Sequence, residues 1–184
     1  MKLTFFFIFL LWAACAHAQT LYFTNSGTIS FFSSAPLEDI EAKNTHVGSV
    51  LNLKDGSLIF KVSVIKFKFP NATMEEHFNE NYMETEKYPN ADFKGRVMDF
   101  GNVDLTKDGK INVVITGDLT IHGVTNKVTH KGVLERKGAN ITANAKFPIR
   151  VADYKIDIPR MVIKNVAEVV DVTVDLVYEP KADK

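Results

Sequence analysis

The chain has almost no cysteine: one residue, Cys15, among 184. Cys15 falls in an N-terminal segment expected to be removed, so the remainder has neither a disulfide framework nor thiol chemistry. An excess of charge is missing as well, because 22 Lys and Arg stand against 22 Asp and Glu. That balance leaves no electrostatic footprint for nucleic acid. Past the N-terminus no apolar run approaches the roughly 20 residues of a membrane-spanning helix. Catalytic signatures are also missing: there is no Gly-x-Ser-x-Gly elbow, no phosphate loop and no dinucleotide fingerprint. Metal ligands are sparse. His77 and Glu80 lie one turn apart on an expected helix, but zinc sites use more ligands than two. The run Asp104-Leu105-Thr106-Lys107-Asp108-Gly109 faintly resembles a calcium loop, yet Ile115 occupies the position where an EF-hand needs Glu. No enzyme activity, cofactor or metal is expected.

The start of the chain addresses it. Lys2 supplies a positive n-region, residues 5–12 are an unbroken apolar run, and Ala16-His17-Ala18 is a small-x-small cleavage site. These are the parts of a secretory signal peptide, 1–18, and they imply a secreted or periplasmic protein. Trp12-Ala13-Ala14-Cys15 loosely resembles a lipoprotein cleavage box, but Trp12 stands where Leu is usual. Residues 19–184 suit a single domain, large enough to bury a core without crosslinks.

That domain reads as β almost throughout. Ile111, Val113, Ile115, Gly117, Leu119 and Ile121 occupy one phase, and Asn112, Thr116, Asp118 and Thr120 occupy the other. Successive strand side chains point to opposite faces, so the first set faces a core. Ile141, Ala143, Ala145 and Phe147 repeat the pattern, as do Val166, Val170, Val172, Val174, Leu176 and Tyr178. Asp55-Gly56 and Asp108-Gly109 are two-residue hairpin signals, and Gly123 and Lys137-Gly138 mark further turns. Short strands joined in this way imply an antiparallel meander, and closure into a barrel would remove its edges.

Residues 58–69 break the alternation. Phe60, Val62 and Val64 share one phase, and Ile65, Phe67 and Phe69 share the other. Either a bulge near Val64 and Ile65 brings both sets to one face, or the outer set lies under a loop helix. The second reading is favoured, because a helix is expected at once over 72–83, with Met74, Phe78 and Tyr82 on one face. It would close over the outside or one end of the barrel. A shorter helical turn is expected at 36–42, with Pro36 in its first turn and Ser34 as cap.

Four segments then resemble one family. Gly117-Asp118-Leu119-Thr120-Ile121-His122-Gly123-Val124-Thr125-Asn126-Lys127-Val128-Thr129 contains the L-T-I-x-G-V-T-x-x-V motif of YceI-like proteins. Ala35-Pro36-Leu37-Glu38-Asp39-Ile40-Glu41-Ala42 is similar to A-P-L-E-x-I-E-A of one YceI-like subgroup. Met74-Glu75-Glu76-His77-Phe78-Asn79-Glu80-Asn81-Tyr82-Met83 resembles its M-x-x-H-F-x-E-x-Y-M helix, and Tyr88-Pro89-Asn90-Ala91-Asp92-Phe93-Lys94-Gly95 its Y-P-x-A-x-F-x-G. The resemblance implies an all-β, eight-stranded antiparallel lipocalin-like barrel with one or two short helices in its loops. It also implies an isoprenoid or other long-chain lipid as partner.

A barrel of eight strands is at the size where side chains can fill the interior or leave room for one ligand. The inward phases contain Gly95, Gly117, Ala143 and Ala145, which are expected to widen a tunnel lined by Phe31, Phe60, Val62, Phe93, Val113, Ile115, Leu119, Val170 and Val172. The alternative is that these small residues only accommodate large neighbours in a filled core. Gly117→Phe is then expected to abolish lipid binding and keep the fold. Lys127, His130 and Lys131 are head-group candidates only because they follow the hairpin turn; solvated surface is the simpler role for each. Two functions follow: a carrier or sequestering protein for an isoprenoid-like lipid, or a structural or interaction barrel without a small ligand. A hydrolase acting on barrel-bound lipid ranks behind both. A weak homodimer is compatible with either.

Overall fold

The computed structural model describes residues 20–158 and 166–181. The expected signal peptide, 1–18, with Cys15, lies outside the described residues. Eight strands run β1 Leu21–Ser34, β2 Asp39–Asn52, β3 Ser57–Ser63, β4 Asn90–Val97, β5 Gly109–Ile121, β6 Val124–Lys137, β7 Asn140–Arg150 and β8 Val169–Pro180. Each pairs antiparallel with the next, and β8 returns to β1, so the barrel is closed. Closure gives every strand two neighbours and protects most of its edges, although β6–β7 pairing covers only Gly132–Lys137 against Asn140–Ala145. The up-and-down order puts the β1–β2, β3–β4, β5–β6 and β7–β8 connections at one end. The other end carries the remaining connections and both termini of the described chain.

The strands follow the alternation expected of them. On β8, Val172, Val174, Leu176 and Tyr178 are buried, and Leu176 and Tyr178 are almost fully enclosed. Where β1 pairs with β2 the register shifts between Gly27 and Ile29. Asn44 turns inward there, accepts from His46 N (2.8 Å) and donates to Ser63 O (2.9 Å). It thereby satisfies a backbone N–H beside the irregularity and the carbonyl that ends β3.

Two of the turn expectations change, and the turn expected at Gly123 is found. The two-residue hairpin with positive φ at both centres is His122-Gly123, at +50° and +72°. That is the type I′ requirement, here met by a histidine in the left-handed region. Asp55-Gly56 closes a longer loop instead: Gly56 donates to Asn52 O, and the Asp55 carboxylate accepts from Ser57 N. Asp108-Gly109 is not a hairpin either, because β4 ends at Val97 and a long connection with a 3₁₀ turn at Phe100–Asn102 intervenes. Its polar side chains bond locally, Asp104 accepting from Thr106 N and Asp108 from Gly138 N across the loops.

The expected helical turn at 36–42 is absent. Asp39 already pairs with Ser34, and Ala35 N donates to Glu38 O, so the segment is a tight β1–β2 connection. Strand pairing on β2 outweighs the weak helix-start signal of Pro36. At 58–69 the outcome combines both readings. Strand β3 stops at Ser63, and a 3₁₀ turn, Val64–Lys66, rotates the chain. Val64 and Phe67 are then buried while Ile65 faces solvent. Helix α1, Ala72–His77, follows with its first N–H groups capped by the Asn71 side chain, and it continues as a π-helical turn, Phe78–Tyr82.

Candidate functional site

The two ends of the barrel differ. At the end carrying the termini the interior is packed: Leu51, Leu58, Val97, Ile141, Leu176 and Tyr178 are all buried. The Tyr178 hydroxyl meets Ser49 Oγ at 2.7 Å, and that Oγ lies 2.8 Å from Ile59 O. Burial pushes the Tyr178 phenol far above its ordinary range. Arg136 seals the rim, donating to Tyr22 OH (3.0 Å), Leu105 O (3.2 Å) and Gly138 O (2.7 Å).

From this floor toward the helix-bearing end the barrel encloses a cavity of about 420 Å³. Its wall is apolar almost everywhere. Phe31, Phe60, Phe93, Ile115, Leu119, Phe147 and Val170 point inward yet keep part of their surface uncovered. Near the helix, Phe31 is surrounded by Phe67, Phe69 and Phe78, with ring centroids 5.5–5.8 Å away. Met74, His77 and Tyr82 complete that end, and Ile158 and Val166 also line it.

The YceI-like domain family matches residues 15–178. The chain belongs to the YceI-like family. Among solved structures, a polyisoprenoid binding domain from Saccharophagus degradans implicated in plant cell wall breakdown is similar at 16% identity. That match has a TM-score of 0.76 and covers 89% of this chain and 100% of the other. Burkholderia cenocepacia BcnA follows at 18% identity, TM-score 0.68, covering 82% and 95%. A Campylobacter jejuni YCEI protein matches at 15%, TM-score 0.60, covering 77% and 85%. At these identities the likeness carries the fold. No curated protein matches the chain.

Within this YceI-like barrel, Phe31, Phe60, Val62, Phe93, Ile115, Leu119, Ala143, Ala145, Val170 and Val172 line the cavity. Three expected wall residues do not reach it. Val113 is packed into the core. Gly95 and Gly117 face each other across β4 and β5, and the Phe93 ring lies in the hollow they leave. A Cβ on Gly117 would come within 2.7 Å of Phe93 Cζ and 2.5 Å of both Gly95 Cα and Lys94 O. These glycines seat an aromatic ring; the unfilled volume lies beside Ala143 and Ala145. Gly117→Phe would therefore strike backbone and is no clean test of the cavity.

The head-group candidates separate in the same way. Lys127 and Lys131 are exposed, and Lys127 pairs with Asp118 at 3.3 Å. His130 faces the cavity instead, stacked on Phe147 with centroids 4.1 Å apart and ring planes 14° from parallel. Burial lowers its pKa, which favours the uncharged ring. Strand phase marks it: Val128, His130, Gly132 and Leu134 alternate with Thr129, Lys131 and Val133. Phe147 was legible from the same alternation on β7. Phe67, Phe69 and Phe78 were visible as apolar residues, but their convergence on Phe31 depends on the 3₁₀ turn.

Little here is arranged for chemistry. Among the described residues no three His, Cys, Asp or Glu side chains converge on a point that could hold a metal ion. His77 and Glu80 are both exposed, and His77 borders the cavity. What the arrangement can do is exclude water from an elongated apolar molecule.

Proposed function

We propose that this YceI-like protein is a secreted or periplasmic carrier that holds one isoprenoid or other long-chain lipid inside its barrel, for transport, storage or sequestration. One observation carries the reading: inward apolar side chains in mid-barrel stay partly uncovered around about 420 Å³ of unfilled space. Interiors normally close-pack, and a void forfeits contacts. Pockets that take small molecules fall at about 300–1,000 Å³. The polyisoprenoid-binding description of the Saccharophagus degradans domain supports a lipid occupant.

The energetics suit a chain. Each buried CH₂ contributes about 0.8 kcal/mol, so ten of them supply about 8 kcal/mol against an association cost of ~4–15 kcal/mol. Longer tails bind better, and tails of similar length are poorly distinguished. The cavity wall comes from one copy of the chain, so a weak homodimer would not be needed for binding. The protein acts by enclosing its ligand and not by catalysis.

The test is to purify the protein, compare its mass under native and denaturing conditions, and extract what is released. A stoichiometric adduct with a long apolar chain supports the carrier. A protein that arrives empty and rejects quinones, polyprenols and fatty acids would instead be an interaction barrel.

A further inference from the structure

The strand phases place few polar side chains inside the barrel, and several of them are already engaged. Ser33 Oγ accepts from Ala167 N, Asn44 serves the β1–β2 irregularity, and Ser49 holds Tyr178. Asn126 donates to Asp153 O, and Arg136 is committed at the closed rim. His130 is different. It lies mid-strand on β6, opposite Ile115, with apolar neighbours and no hydrogen-bond partner among the described residues. One face of its ring is covered by Phe147, which fixes its orientation, and its remaining surface borders the cavity. The ring is half-buried, and the cavity is where a partner can reach it.

We infer that His130 selects the lipid: the occupant carries an uncharged hydrogen-bonding group, such as a hydroxyl, carbonyl or amide, that sits against the imidazole part-way down the barrel. This rests on the carrier reading and adds the chemistry of the ligand's polar group and its position. The described part of the wall favours an uncharged group. The inward guanidinium of Arg136 is spent at the floor, and among the described residues no lysine lines the cavity. A phosphate or carboxylate drawn inside would be desolvated without a counter-charge. A neutral imidazole offers one donor and one acceptor, which matches an alcohol, a carbonyl or an amide.

The experiment measures affinities of the delipidated protein for hexadecane, hexadecan-1-ol, hexadecanamide and palmitate by competition in native mass spectrometry. It is repeated on His130→Leu and His130→Gln. Because the alcohol and alkane differ in hydration, the readout is the alcohol-to-alkane affinity ratio. That ratio is expected to fall roughly tenfold from native protein to His130→Leu, the loss of one hydrogen bond in an apolar wall. His130→Gln should recover part of it, and the thermal midpoint should hold. A ratio unchanged in His130→Leu, with alkane binding intact, overturns the role of His130 and leaves the carrier reading standing. A His130-dependent preference for palmitate over the alcohol overturns the uncharged class. Failure of the native protein to bind any of the four removes the carrier reading and this inference together.

Discussion

Ala145→Phe is the most direct way to close the cavity. Ala145 projects from β7 between Gly132 on β6 and Val174 on β8, with Ala143 beside it on the same strand. The would-be Cβ of Gly132 lies 3.6 Å from Ala145 Cβ, an ordinary contact. These small neighbours leave an added ring only the cavity to enter. A phenyl group there displaces about four carbons of a chain, each worth about 0.8 kcal/mol, so binding should weaken by ~3 kcal/mol or roughly 200-fold. Overpacking a filled core costs about 1–3 kcal/mol, but this ring enters empty space. The thermal midpoint of the empty protein should therefore stay within about 4 °C of the native one. The assay is a lipid titration followed by native mass spectrometry, with a melt on the same samples. A folded Ala145→Phe protein that retains its lipid at native affinity would place the ligand elsewhere. A protein that unfolds would show that the core tolerates no filling at this wall.

Two further outcomes concern the floor and the helix. Tyr178→Phe removes the hydroxyl from Ser49 and should cost about 1 kcal/mol in urea unfolding. The native phenol titrates far above its unfolded value of about 10, so only the unfolded state loses this proton just above that pH. Stability should accordingly be full below about pH 10 and decline as pH rises beyond it, and Tyr178→Phe should flatten that decline. Asn71→Ala deletes the cap that accepts from Thr73 N (2.8 Å) and Met74 N (3.4 Å). The change should cost about 1 kcal/mol and speed hydrogen exchange over 72–82; unchanged exchange would mean that packing of Phe78 and Met74 alone holds the segment.

Much of this was legible in the residues because strand periodicity is local. Alternation along 111–121, 141–147 and 170–178 identified inward residues without any partner strand being known, since neighbouring side chains on a strand must point to opposite faces. His130 was expected to be solvated surface; the structure turns it inward, in the phase that alternation along β6 carries. Turn chemistry was less dependable. Asp108-Gly109 carries the same residues as a hairpin, but the long connection from Val97 makes it a strand start. A dipeptide reports allowed dihedrals and not which strands flank it.

The sequence by itself therefore determined the β class, the antiparallel meander pattern and most residues of the inward face. Whether that face meets packed neighbours or empty space was decided by tertiary structure alone. Gly117 and Ala145 look alike as small inward residues. One is capped by the Phe93 ring and pressed against the Gly95 backbone, while the other borders the cavity. The difference depends on strand tilt, stagger and the lean of a side chain two residues away. None of these is encoded at the position itself, because the size of a residue sets the volume it occupies and its distant neighbours set the volume left over.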